Sequence, residues 1–151
     1  RCPKSAAMLE TVTMRTKILV VDDEQDFVEL MSFNLKKHGY NVLSAHSGLE
    51  ALLKARRFLP DLMVLDLTLQ DIDGCSVCEI LRNQPSTKAM PVIMVTCVTG
   101  QIARLNGLAS GADDFLTKPF SPRQLVASVE QVLRRWEEKN AIPTAENEGP
   151  P

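Results

Sequence analysis

Leu62-Met63-Val64-Leu65 is a short, unbroken apolar run, and it ends on a carboxylate, Asp66. The pattern recurs along the chain. Ile18-Leu19-Val20-Val21 runs into Asp22 and Asp23, and Val92-Ile93-Met94-Val95 runs into Thr96. A shorter run, Phe115-Leu116-Thr117, ends at Lys118-Pro119. Continuous runs rich in β-branched residues read as strands buried on both faces, as in a parallel sheet. In such sheets ligands bind outside the carboxyl ends of the strands. Three carboxylates, one hydroxyl and one ammonium are therefore expected along one sheet edge. That set suits a divalent cation and a phosphoryl group.

Helical patterns alternate with these strands. Phe27, Leu30, Met31 and Leu35 make one helical face that stops near His38-Gly39. A second strand is expected at 40–44. Ser47 is placed to cap a helix carrying Leu49, Leu52 and Leu53. The third strand is expected at 61–65. Asp73 caps a helix with Val77, Ile80 and Leu81 inward, and the fourth strand follows at 91–95. Ile102, Leu105, Leu108 and Ala109 make the fourth helix, stopped by Gly111. A fifth strand follows at 115–117. Ser121-Pro122 opens the fifth helix, with a stripe of Leu125, Val129, Val132, Leu133 and Trp136. Five βα units predict an α/β, doubly wound fold on a parallel sheet.

The chain has 151 residues, 44% apolar and 24% charged, the composition of one ordinary globular domain with extra length at its ends. Residues 1–15 lack periodicity and read as a flexible N-terminal extension. Met14 suits a natural start, with the residues before it an upstream extension or an expression remnant. Residues 16–138 make the domain, and 139–151, rich in Pro, Glu, Asn and Gly, read as a flexible tail or linker. The formal net charge is −2 with no basic block, which argues against direct nucleic-acid binding by this domain. No stretch approaches the ~20 apolar residues of a membrane span, and no secretion signal is visible. The cytoplasm is the expected compartment. Cys75-x-x-Cys78 has no second Cys/His pair at zinc spacing, so Cys78 is expected in the core and Cys75 near the surface.

Taken singly, each site residue has an ordinary reading. Asp22-Asp23 suits a solvated turn, Asp66 a helix cap, Lys118 a surface lysine and Thr96 a β-favouring position. Their shared place after buried strands argues otherwise. Converging carboxylates repel and raise one another's pKa values, a conflict that a hard cation held by oxygen ligands resolves.

Asp22-Asp23-Glu24, Asp66 followed by Asp73-Gly74, Thr96, and Gly111-Ala112-Asp113-Asp114-Phe115 leading to Lys118-Pro119-Phe120 carry a specific resemblance. Together they resemble the CheY-like receiver domain of two-component response regulators, over roughly residues 16–136. The C-terminal part is similar to OmpR/PhoB-type receivers, which carry winged-helix DNA-binding domains. The resemblance implies a flavodoxin-like, five-stranded sheet of order 2-1-3-4-5. It implies that Asp66 accepts a phosphoryl group from a sensor histidine kinase or phosphotransfer protein. Asp23, Asp66 and the Thr68 carbonyl would hold Mg²⁺, for which Mn²⁺ can substitute, with Asp22 acting mainly through a metal-bound water. Lys118 and Thr96 would bind phosphoryl oxygens. Phe115 would turn inward as Thr96 moves, changing the surface of the fourth helix, fifth strand and fifth helix that an output domain or downstream protein reads. The domain would be a regulatory phosphoacceptor assisting its own phosphorylation and dephosphorylation, rather than an enzyme.

Some positions depart from the family pattern. Gln70 stands where a proline is common, Cys97 replaces a small residue, and Val98 is apolar where polar residues are frequent. On the dimerisation face of OmpR/PhoB-type receivers, Asp114 and Arg104 match, whereas Gly100, Gln124 and Ser128 lack the typical charge. Two other classes are weaker. A phosphatase of the haloacid dehalogenase type wants a second aspartate two residues after the nucleophile, where this chain has Thr68. A phosphorylation-independent interaction module predicts loss of Asp66, Asp23 or Lys118, and all three are present.

Overall fold

The three four-residue apolar runs become the three central strands, and the shorter run at 115–117 becomes an edge strand. The computed structural model describes residues 16–97, 106 and 109–148, with side chains to Asn140. In chain order the elements are β1 (Lys17–Val21), α1 (Gln25–Lys37), β2 (Asn41–Ala45), α2 (Gly48–Phe58), β3 (Leu62–Asp66), α3 (Gly74–Arg82), β4 (Val92–Thr96), β5 (Asp114–Thr117) and α4 (Pro122–Glu148). The five strands form one parallel sheet of order β2-β1-β3-β4-β5. This is the doubly wound, flavodoxin-like arrangement expected from the sequence. The fourth expected helix, at 102–111, lies mostly outside the described residues, as do Val98, Gly100 and Arg104.

Alternation along the strands sorts side chains into two layers. Ile18, Val20, Leu62, Val64, Ile93 and Val95 pack with Val28, Met31 and Leu35 of α1 and with Leu125, Val129 and Val132 of α4. Leu19, Val21, Met63, Leu65, Val92 and Met94 pack with Ala51 and Ala55 of α2 and with Val77, Cys78 and Leu81 of α3. Cys78 is fully buried and Cys75 partly so, both as free thiols, as the sequence predicts.

Helix faces differ from the expectation in places. Val28, rather than Leu30, joins Met31 and Leu35 inward, and Leu30 is 54% exposed. Ile80 sits at the rim of α3, with Cys78 in its place beside Val77 and Leu81. On α2 the inward face is Gly48, Ala51 and Ala55, while Leu49 and Leu53 face solvent. Small residues there let the helix lie close. A Cβ on Gly48 would come within 3.0 Å of the Ile72 Cβ. The local caps are those expected: Ser47 Oγ accepts from the Glu50 amide, and the Asp73 carboxylate accepts from the Ser76 amide. Helix α4 opens on Ser121 and Gln124, which bond reciprocally as a capping box. Its backbone stays helical to Glu148, past residue 138, where composition alone suggests irregular chain.

Candidate functional site

Register brings the site together. Val21 of β1 lies opposite Leu65 of β3, so the next residues, Asp22 and Asp66, reach the same level. Asp66 and Thr96 are the last residues of their strands, one position beyond the expected ends. Asp66 stays in the ladder because Val95 of β4 lies opposite it. Thr96 pairs with Thr117, and the Lys118 amide donates to the Thr96 carbonyl at 2.7 Å, which sets Lys118 at the same edge. The Lys118-Pro119 peptide is cis.

One carboxylate oxygen from each of Asp22, Asp23 and Asp66 lies within 4.8 Å of the others. Asp22 and Asp66 are buried and Asp23 is partly exposed. The Lys118 ammonium bonds Asp22 Oδ2 at 2.9 Å and sits 4.2 Å above the centre of the Phe27 ring, a cation–π contact. Phe27 in turn meets Phe120 edge to face at 5.6 Å. The other Asp22 oxygen accepts from the Glu24 amide at 2.9 Å. Asp66 Oδ1 accepts from the Thr68 amide, a long bond at 3.3 Å.

The electrostatics reflect crowded negative charge. Burial, then the neighbouring Asp22 carboxylate, push Asp66 up to about 6, against the opposing pull of Lys118 and the Thr68 amide. Burial works to lower Lys118, but its bond to Asp22 and the charges of Asp66, Asp22 and Glu24 outweigh it, and the net shift is upward. An all-oxygen donor set with an excess of negative charge fits a hard divalent cation, not a thiolate-loving metal.

The loop after Asp66 is held by close approach. A Cβ on Gly74 would lie 2.6 Å from the Asp66 carbonyl oxygen and 2.8 Å from the Leu67 Cα, so only glycine fits. The Gly74 amide donates to the Leu67 carbonyl, and the Leu67 amide to the Val95 carbonyl, each at 2.7 Å. Thr68 is exposed on this loop. Asp71, further along it, accepts the Gly48 and Leu49 amides of α2 at 2.8 and 3.0 Å. Those two bonds hold the Asp71 carboxyl below its usual range.

Asp22, Asp23, Asp66 and Lys118 thus meet at one edge, where Thr96 ends the strand beside Asp66. Thr96 is fully buried there. Phe115 is 7% exposed and packs in the core opposite Met94, so it already holds an inward setting. Two contributors were not nominated. Phe27 carries only the signature of a core-facing helical residue, and its place under Lys118 depends on tertiary packing. Asp71 had no local signal, because its partners lie 22 and 23 residues earlier.

Fold and site together define a CheY-like receiver architecture. A sequence model of the family described as the response regulator receiver domain matches residues 18–130. The alkaline phosphatase synthesis transcriptional regulatory protein PhoP of Bacillus subtilis (strain 168) is 49% identical over 125 residues, which is 82% of this chain and 51% of PhoP. The chain therefore spans about half the length of that curated relative. Chemotaxis protein CheY4 of Vibrio cholerae superposes with a TM-score of 0.75 at 32% identity, over 78% of this chain and 98% of that one. A two-component response regulator from Clostridium difficile gives 0.75 at 33% identity, over 80% and 98%. The chain belongs to the response regulator receiver family of two-component signal transduction. No helix among the described residues is long and apolar enough to cross a membrane.

Proposed function

We propose that this domain is a phosphorylation-controlled switch whose phosphoacceptor is Asp66. The supporting observation is the cluster of Asp22, Asp23 and Asp66 with Lys118 bonded into it. An Asp66 carboxylate oxygen attacks the phosphorus of a phosphohistidine on a sensor kinase or phosphotransfer protein. The O–P bond forms as the N–P bond breaks, and the electron pair leaves with the imidazole. Asp23, Asp66 and the Thr68 carbonyl would hold Mg²⁺, or Mn²⁺ in its place, with Asp22 contributing its charge beside them. When bound, the ion neutralises the carboxylates and the phosphoryl oxygens. Lys118 exchanges its bond to Asp22 for a phosphoryl oxygen, and the Thr96 hydroxyl takes another. Displacement of Thr96 alters the packing around Phe115 and so the surface at β5 and α4. The output domain or target protein reads that surface, in the cytoplasm. Likeness to a transcriptional regulatory protein supports an output in gene control, delivered without nucleic-acid contact by this domain itself.

The test is intact mass after incubation with acetyl phosphate. One phosphoryl group is expected on the wild type only with Mg²⁺ or Mn²⁺, and none on Asp66→Asn. Equal labelling of that variant, or labelling in excess chelator, would overturn the assignment.

A further inference from the structure

We infer that Asp71 is a positioning residue for the metal site, clamping the loop that carries Thr68 onto the N-terminus of α2. This inference rests on the phosphoacceptor reading above.

Helix α2 already has its own cap, because Ser47 Oγ takes the Glu50 amide. The Gly48 and Leu49 amides go instead to Asp71, one to each carboxylate oxygen, at 2.8 and 3.0 Å. Among the described residues, this bidentate contact spans from the loop after Asp66 to the turn after β2. The strand before that turn is joined to the backbone of the cluster, since the Asp22 amide donates to the carbonyl of Ala45, the last residue of β2, at 3.2 Å. A ring of contacts results. It runs from Asp22 through Ala45, the α2 N-terminus and Asp71, and back along the loop to Asp66. Packing reinforces the clamp, with Leu69 8% exposed in the core and Ile72 against Gly48. Gln70, beside Asp71, is exposed and restricts the backbone less than a cyclic residue would. The stretch between Leu69 and Ile72 therefore takes its position from Asp71. A ligand loop displaced by even a fraction of an ångström loses metal affinity, as removal of groups that orient metal ligands generally does.

The test compares Asp71→Ala with Asp71→Asn, which removes the charge but keeps a carbonyl oxygen to accept the Gly48 amide. Mg²⁺ affinity is read by calorimetry and labelling rate by acetyl phosphate at limiting Mg²⁺. Amide hydrogen exchange across residues 67–72 is followed in parallel. For Asp71→Ala we expect Mg²⁺ affinity about tenfold weaker. Exchange through the loop should be faster, and labelling should return to the wild-type rate at saturating Mg²⁺. Asp71→Asn should recover most of the affinity. If Asp71→Ala binds Mg²⁺ as the wild type does, the positioning role is wrong. If both variants are equally weak with unchanged loop exchange, the effect is charge alone and the clamp is wrong. If the wild type itself neither binds Mg²⁺ nor is labelled, the phosphoacceptor reading fails first and this inference falls with it.

Discussion

Asp66 stores a conflict that pH can release. Its carboxyl is raised from 3.8 to about 6 by burial first and by Asp22 second. The folded, metal-free protein thus binds this proton more tightly than the unfolded chain. The stability it contributes is present below about pH 4 and is lost as pH rises through about 6, which across the full window amounts to roughly 3 kcal/mol. Urea unfolding in chelator should therefore show the wild type losing stability relative to Asp66→Asn between about pH 4 and about pH 7. Saturating Mg²⁺ should remove most of that difference. A constant offset between the two proteins across the range would contradict the raised carboxyl. At this scale much of the site was legible. Asp22, Asp23, Asp66, Thr96 and Lys118 each follow an apolar run, and strand order alone brings them together. Phe27 and Asp71 were not legible, because one acts through ring packing and the other across two loops.

Among the elements, the junction of β3 and α3 is the most tightly constrained. The space at Gly74 is closed by backbone, the Asp66 carbonyl and the Leu67 Cα, which cannot swing aside as a side-chain tip can. Gly74→Ala should cost about 2 kcal/mol, by overpacking that the loop must relieve by moving. It should also slow labelling of Asp66, whereas Ser76→Ala, two residues on, should do neither beyond a few tenths of a kcal/mol. Chemical denaturation with the labelling assay checks both, and a wild-type stability for Gly74→Ala would show that the approach is looser than drawn. Strands were easier to read than helix faces. A strand buried on both sides needs only an apolar run, as Leu62 to Leu65 provides. The inward face of α2 is marked by Gly48, Ala51 and Ala55, whose small size is its packing signal, with Leu52 partly buried beside them, while Leu49 and Leu53 point out. Hydrophobicity alone places Leu49 and Leu53 on the wrong face there.

For the molecule as a whole, the open question is self-association through β5 and α4. Asp114 is one charge that matches the OmpR/PhoB-type dimer face, yet here it is engaged within its own chain. Its carboxylate accepts from the Ser128 hydroxyl at 2.9 Å and lies 4.0 Å from the Arg135 guanidinium. Ser128 is 7% exposed and supplies no charge. The unphosphorylated domain should therefore sediment as a monomer, and any dimer should persist as salt rises, since exposed ion pairs are what salt screens. A tight dimer that dissociates with added salt would contradict this. The lysine-bridged acidic cluster also bears on colloidal behaviour. Asp22, Asp23 and Asp66, set against Lys118, carry two formal negative charges in excess, and the whole chain also carries −2. Binding one divalent ion would thus bring these 151 residues close to formal neutrality at pH 7. Phosphoryl transfer exchanges one carboxylate charge for roughly two on the phosphoryl group, and so restores about one negative charge. On the proposed function, mutual repulsion between copies of this chain would be weakest in a metal-loaded, unphosphorylated state, and phosphorylation would set the copies apart again.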